Sequence, residues 1–382
     1  MKLTLDTSQL FAAVGRALMG HGAFEGRGRC GKLALVEGMV EITRPFLVVM
    51  GIPAAGMGAL LANEALPTPP VLLLGAAAVA LAVAAAHAFN DWVDRRRDSS
   101  AWPARPIPAG RVPAALALAF AGTCACVSLA LTRIFFGQAA FLTLLLSQAL
   151  AALYCLFMRD ALGYLSLPPI IALFPLGGWA AVSPQTLFGS PTPWLLAAIV
   201  FTWQSAHIAV YMPAHPVSFR GGKPRCEKKA FLFCPTPRQA ALLGVTFSAL
   251  LVAGVTLLGL LVSLGVIYWV LALPIAMATL AASLRLLSAP LQKTRAILAF
   301  NTASMALASI CGGVCLDVIA RLHIGPFVSW SAGAAAAAAA WVDSRLTGVS
   351  ALAYWLIFAS ALAAAAAGIA RMLKEMKRGA GE

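Results

Sequence analysis

The chain has 382 residues, 61% of them apolar and only 11% charged, against roughly 25% charged in ordinary soluble domains, and its mean hydropathy is +0.86. Such a composition excludes a soluble globular domain and points to a polytopic helical membrane protein; long alanine and leucine runs without two-residue alternation exclude a β-barrel. The formal net charge of +14 would suit nucleic acid, but the basic residues lie in short loops between apolar runs, where they orient the chain and meet anionic lipid or phosphate, so no nucleic-acid partner is expected.

Residues 1–33 read as a cytoplasmic arm, basic and glycine-rich, without the uninterrupted apolar core of a cleavable signal. Within it, Leu10 to Met19 has the composition of a short interfacial helix. Apolar runs of spanning length follow at about 44–62, 70–90, 112–132, 135–157, 161–182, 193–212, 239–262, 264–288 and 296–320. The run at 161–182 contains Pro168-Pro169, Pro175 and Gly177-Gly178, which predict a kink or break. Residues 324–342 are alanine-rich and marginal in length, and a last span is expected at about 350–370. The fold expected is therefore all-α, a membrane helix bundle of nine core transmembrane helices plus a C-terminal span. Its division is an arm over 1–40, a transmembrane domain over 41–322 and an extension with a basic tail over 323–382.

The basic residues test the topology. With a cytoplasmic amino terminus, ten spans and 324–342 not crossing, the cytoplasmic face holds 25 of the 28 Lys and Arg residues, leaving Arg133, Arg321 and Arg345 outside. That asymmetry predicts cytoplasmic termini and places both polar loops, 91–111 and 213–238, on the cytoplasmic side. The eight cysteines show no metal-binding spacing. Cys124, Cys126, Cys155, Cys311 and Cys315 fall in helices and are expected to pack, while Cys226 and Cys234 share a loop without a CxxC pair.

The first chemistry-bearing stretch runs from His87 to Asp98 and holds Asp91, Asp94 and Asp98, three of only 14 acidic residues. On a helix Asn90, Asp94 and Asp98 share a face, with Asp91 one turn before Asp94. Oxygen ligands clustered in this way suit Mg²⁺ shared with substrate phosphates. A solvated helix end paired to Arg95–Arg97 is the alternative, and the scarcity of acids favours function. His87, one turn earlier, is expected to bond Asn90 or Asp91. Arg105-Pro-Ile-Pro-Ala-Gly-Arg111 follows: the prolines stop the helix, Gly110 permits a turn, and Arg105 and Arg111 can neutralise a diphosphate.

Asn90-Asp91-x-x-Asp94-x-x-x-Asp98, followed by Arg105-Pro-Ile-Pro-x-Gly-Arg111, resembles the first signature of the UbiA superfamily of intramembrane prenyltransferases, over roughly residues 40–320. The resemblance implies an all-helical enzyme that ionises a polyprenyl diphosphate with Mg²⁺ and transfers the prenyl group to a hydrophobic, usually aromatic, acceptor. Asn90, Asp91, Asp94 and Asp98 would then be metal ligands, with Asp91 and Asp94 essential to turnover.

The second stretch is Trp203-Gln204-x-x-His207 to Tyr211, then Ser218-Phe219-Arg220-Gly221-Gly222. With Pro168-Pro169 and Gly177-Gly178-Trp179, it is similar to the haem O synthase branch, which adds a farnesyl group to a haem vinyl. The acidic motif usual in this loop is missing: Val217-Ser218 stands before the glycines, and Glu227 is the only acid between Trp203 and Arg238. Arg220, Lys223 and Arg225 are candidates to clamp the diphosphate, or else to anchor on lipid phosphates. His207 can orient or deprotonate an acceptor, or pack as a hydrogen-bonded core histidine. Tyr211, with Tyr154, Tyr164, Phe174 and Trp203, can shield an allylic cation or serve as helix packing. Asp317 is expected to pair with Arg321 one turn on. Three functions remain open: prenyl transfer, terpene cyclisation on the same scaffold, and a transporter or structural membrane protein. Against the last stands the gathering of polar residues in two loops on one side, without an internal repeat.

Overall fold

The computed structural model describes residues 32–63, 67–159, 163–214, 219–220, 223–224 and 236–323. The expectations for the arm before residue 32, the 324–342 run and the C-terminal span lie outside these residues. The described helices are α1 (Lys32–Thr43), α2 (Pro45–Asn63), α3 (Pro69–Ala101), α4 (Ala114–Leu153), α5 (Pro168–Val182), α6 (Thr192–Ala214), α7 (Pro237–Leu261), α8 (Val266–Ser288) and α9 (Lys293–His323). One short antiparallel hairpin, β1 (Phe219–Arg220) and β2 (Lys223–Pro224), interrupts the all-helical pattern.

Six of the described helical stretches are long and apolar enough to cross a membrane: Pro69–Ala101, Ala114–Met158, Thr192–Pro213, Pro237–Leu261, Val266–Ser288 and Lys293–Leu322. Met50–Ala62 and Pro168–Val182 are apolar but shorter. At 45 residues, Ala114–Met158 would extend about 68 Å if straight, twice the roughly 30 Å of a hydrocarbon core. Gly137 interrupts it with φ +82° and ψ −171°, a conformation open to glycine and closed to other residues. The break falls close to the boundary expected between the 112–132 and 135–157 runs.

The expected break in the 161–182 run takes another form. Gly163–Ser166 makes a 3₁₀ turn, and Pro168-Pro169 occupies the first turn of α5, where a missing N–H costs nothing. The helix then continues through Pro175 to Val182. The glycines serve close approach instead. A Cβ on Gly178 would lie 1.9 Å from the Ala55 carbonyl oxygen, and one on Gly58 2.1 Å from that of Pro175. α2 and α5 therefore touch backbone to backbone, the association small residues permit within a bilayer.

α3 packs along α4, α6 along α7, and α8 against both α7 and α9. The main core joins Met57 of α2, Leu176 and Trp179 of α5, Leu196 of α6, Leu251 of α7, Tyr268 of α8 and Ile310 of α9. Leu73 and Ile134 lie on the outer surface, more than two-thirds exposed, as a lipid-facing surface allows. Asp317 is fully buried and pairs with Arg321 Nε at 3.2 Å, as expected. It also accepts the backbone N–H groups of Gly265 (2.8 Å) and Tyr268 (3.5 Å), so a carboxylate on α9 closes the open N-terminus of α8.

Candidate functional site

α3 has 33 residues, about 50 Å of helix. It therefore overshoots a roughly 30 Å hydrocarbon core by several turns, and the overshoot carries Asn90 to Asp98. The three aspartates are 5%, 7% and 3% exposed in chain order, which removes the alternative of a solvated helix end. Buried carboxylates need partners, and each has at least one arginine.

Asp91 Oδ1 accepts Arg44 Nη2 at 2.7 Å and lies 3.7 Å from Arg105 Nη1. Asp98 Oδ2 accepts Arg105 Nη1 at 2.6 Å. Asp94 receives Arg159 with both oxygens, Nη1 to Oδ2 at 2.5 Å and Nη2 to Oδ1 at 2.6 Å, the fork geometry that makes such pairs strong. Of the neighbouring arginines, Arg97 comes within 3.8 Å of Asp94, while Arg95 turns back over the Trp92 ring at 4.6 Å. Asn90 Nδ2 donates to Cys155 Sγ at 3.5 Å, so this cysteine does more than pack. His87 has no such role toward Asn90 or Asp91 among the described hydrogen bonds; Arg44 holds Asp91 instead.

Local structure delivers these arginines. Arg44 is the single residue between α1 and α2 and has φ +49°, a left-handed conformation that costs a non-glycine residue about 1–2 kcal/mol. Arg159 follows a π-helical turn at Tyr154–Met158, a distortion frequent at functional sites. Its guanidinium stands 5.9 Å from the Tyr154 ring centroid. The Asn90–Cys155 and Asp94–Arg159 contacts step together by four residues. α3 and the end of α4 thus run side by side in the same direction. Arg105 sits in a compact loop closed by Ala109 N–H to Arg105 O (2.9 Å) and Arg111 N–H to Pro106 O (2.9 Å), with Gly110 at φ +72° as its spacing suggests.

Arg44 and Arg159 were not among the residues expected at the site. Arg44 directly precedes a proline at the start of a span, and Arg159 is a lone cation ending another. Neither carries a pattern tying it to the aspartates, because their partners lie 47 and 65 residues away in sequence. Arg111 lies to one side: its Nη2 donates to Glu41 Oε2 at 2.7 Å and to the Ala104 carbonyl at 2.9 Å. Burial pushes the Glu41 carboxyl above its ordinary range, and Arg111 opposes that shift.

A second cluster gathers the expected α6 residues. The His207 ring stacks on Trp203 at 5.6 Å and meets Phe300 of α9 at 4.9 Å, while Tyr211 approaches Phe300 at 5.5 Å. Ser304 Oγ is 3.5 Å from His207 Nδ1, and Trp203 Nε1 donates to the Ala303 carbonyl at 2.6 Å. No hydrogen bond or ion pair among the described residues joins this cluster to the α3 carboxylates. In the hairpin, Arg220 lies opposite Lys223 in register, and Arg225 falls outside the described residues.

No group of three or more His, Cys, Asp or Glu residues suited to caging a metal occurs among the described residues. The donors still fit magnesium, which characteristically takes one or two carboxylates and completes its shell with phosphate and water. The arginine contacts of Asp91 use Oδ1 and that of Asp98 uses Oδ2, and a carboxylate offers about four lone-pair sites.

A model of the UbiA prenyltransferase family matches residues 51–310. The chain belongs to this family. Among curated relatives, the protoheme IX farnesyltransferase of Azotobacter vinelandii (strain DJ / ATCC BAA-1303) is 36% identical over 187 residues, covering 46% of this chain and 60% of the relative. That of Ectopseudomonas mendocina (strain ymp) is 35% identical over 178 residues, covering 44% and 57%. The chain thus spans less than two thirds of these relatives' length. A solved UbiA homologue from Aeropyrum pernix K1 superposes with TM-score 0.58 at 21% identity, covering 72% of this chain and 98% of that one. A structure from work on digeranylgeranylglyceryl phosphate synthase in membranes gives TM-score 0.56 at 16% identity, covering 75% and 99%. These two likenesses establish the fold; the family match and the apolar helices make the chain an integral multi-pass membrane protein.

Proposed function

We propose that this UbiA-family protein is a magnesium-dependent prenyltransferase that ionises a polyprenyl diphosphate and transfers the prenyl group to a hydrophobic, aromatic acceptor. The observation that carries this reading is the set of three buried aspartates at the end of α3, each matched to an arginine. Asp91 and Asp98, each with an oxygen outside its arginine contacts, would hold Mg²⁺ together with Asn90, and Asp94 would join them where Arg159 gives up one of its oxygens. Bound magnesium supplies charge neutralisation for the leaving diphosphate. Arg44 and Arg105 converge on one oxygen of Asp91 and can extend the same guanidinium groups to phosphate oxygens. Arg220, Lys223 and Arg225 are assigned to the opposite side of the diphosphate, where an acidic motif is replaced by a basic loop. Breaking the allylic C–O bond leaves a cation that the π faces of Trp203, Tyr211 and Phe300 can stabilise. His207, oriented by Ser304, is assigned to accept the proton the acceptor loses when the new carbon bond forms.

A narrower reading takes protoheme as acceptor and farnesyl diphosphate as donor. It is favoured by the names of the curated relatives and by Trp203-Gln204-x-x-His207, and opposed by Val217-Ser218 at the position of an acidic pair. The test is incubation of the protein in lipid nanodiscs with Mg²⁺ and radiolabelled farnesyl or geranylgeranyl diphosphate, with and without protoheme. Prenylated acceptor supports transfer. A hydrocarbon or terpene alcohol formed without acceptor shifts the reading to cyclisation. Asp91→Ala and Asp94→Ala are each expected to abolish turnover, and wild-type turnover in either would end the metal assignment.

A further inference from the structure

Glu41, on α1, belongs to no signature read from the sequence. Its place becomes clear from what lies on either side of the Glu41–Arg111 ion pair. Three residues after Glu41 comes Arg44, bonded to Asp91 Oδ1 at 2.7 Å. Six residues before Arg111 comes Arg105, 3.7 Å from the same oxygen and 2.6 Å from Asp98. Two segments far apart in sequence therefore deliver guanidinium groups to one carboxylate oxygen, and the ion pair ties those segments together just behind the point of delivery.

The tie is reinforced by packing. A Cβ on Gly38 would come within 2.7 Å of Val112 Cγ2 and 3.4 Å of Pro106 Cβ, so α1 lies directly on the loop. Ile42 and Val112 are almost fully buried in one apolar cluster with Ala88 of α3 and Ala117 of α4, and Ile107 and Leu35 pack on it. Arg111 also donates to the Ala104 carbonyl at 2.9 Å, which closes the loop across its base. Both described side-chain bonds of Arg111 thus go to the α1 brace and to its own loop.

We propose that Glu41 and Arg111 are positioning residues: their ion pair braces the 102–112 loop against α1, so that Arg44 and Arg105 are held together over Asp91 to receive a diphosphate. This rests on the functional reading given above and assigns Arg111 a role behind the anion site. Arg44 and Arg105 touch the ligand; Glu41 and Arg111 set the distance between them. Pre-organising two long side chains lowers the ordering cost that each would otherwise meet on binding.

The proposal predicts an effect opposite in sign to simple electrostatics. Removing an anion near a phosphate site should strengthen anion binding, and it should strengthen it further if Arg111 were thereby released to bind phosphate itself. Removing the brace should weaken it. The full-length protein in lipid nanodiscs, titrated calorimetrically with inorganic pyrophosphate in Mg²⁺-free buffer, separates the two. Glu41→Ala and Arg111→Ala are each expected to weaken pyrophosphate binding about tenfold, and the double variant no further than Arg111→Ala alone, because the pair acts as one coupled unit. Glu41→Gln keeps the shape of the side chain and limits any loss of folding; it is expected to weaken binding about threefold. Binding that is unchanged or tighter in Glu41→Ala and Glu41→Gln overturns the proposal, as do additive losses in the double variant. Arg105→Ala fixes the reference. If it abolishes binding while the Glu41 variants bind normally, the brace is wrong and the diphosphate site stands. If wild type binds pyrophosphate neither in Mg²⁺-free buffer nor with Mg²⁺ added, the functional reading and the brace fall together.

Discussion

Arg159 and Asp94 form the most deeply buried ion pair among the described residues, with both side chains nearly inaccessible to water. Such a pair roughly breaks even against apolar packing while intact, but removing one partner strands a buried charge at a cost of about 3–5 kcal/mol. Arg159→Ala is therefore expected to lower the thermal unfolding midpoint sharply, and Asp94→Asn combined with Arg159→Met to recover most of the loss without restoring turnover. Equal midpoints for wild type and Arg159→Ala would show that the charge is not buried as described. The aspartates were legible in the sequence because three acids within eight residues stand out in so apolar a chain. Their counter-ions were not, since an arginine that pairs across tens of residues has no local spacing to betray it. Arg44 and Arg159 looked like ordinary cytoplasmic charges, and nothing near them in sequence tied them to the carboxylates they meet.

The helices themselves were easier to read, because hydropathy reports a requirement that every spanning segment must meet: no backbone polar group can face lipid unpaired. Close packing between them is less visible. Pro168-Pro169 and Gly177-Gly178 suggested a break, yet the prolines begin α5 and Gly178 presses on α2. A proline pair signals a helix start as readily as a kink, and only the neighbouring backbone tells a contact glycine from a hinge. Gly178→Ala must move Ala55 or its own helix, and over-packing of this kind costs about 1–3 kcal/mol. Gly56→Ala, on the same α2, meets nothing within 4 Å and should be neutral or stabilising by up to about 1 kcal/mol from helix propensity. Heat-induced aggregation of the two variants in one detergent checks the contrast; equal behaviour would remove the case for a glycine contact between α2 and α5.

Across the whole molecule, the one-sided distribution of basic residues predicts which end faces the cytoplasm. Ser99 follows the aspartates at the end of α3, and Ser190 lies in the turn before α6 at the opposite end of the bundle by that topology. In intact cells an impermeant maleimide should label Ser190→Cys and reach Ser99→Cys only after permeabilisation; the reverse pattern would invert the protein. The expectation for the α3 site rests on charge alone, whereas the meeting of His207, Tyr211 and Phe300 required α6 and α9 to be brought together in space. The arginine-matched aspartates have one further consequence for the proposed chemistry. A guanidinium drawn away by phosphate leaves a carboxylate oxygen for a cation, and a cation taken up by that carboxylate frees a guanidinium for phosphate. Diphosphate and divalent metal then become heterotropic partners: each raises the affinity of the other by one common factor, as reciprocity demands. The resting protein needs neither ligand to keep its aspartates neutralised beside the bilayer, and it takes up both most strongly when they arrive together.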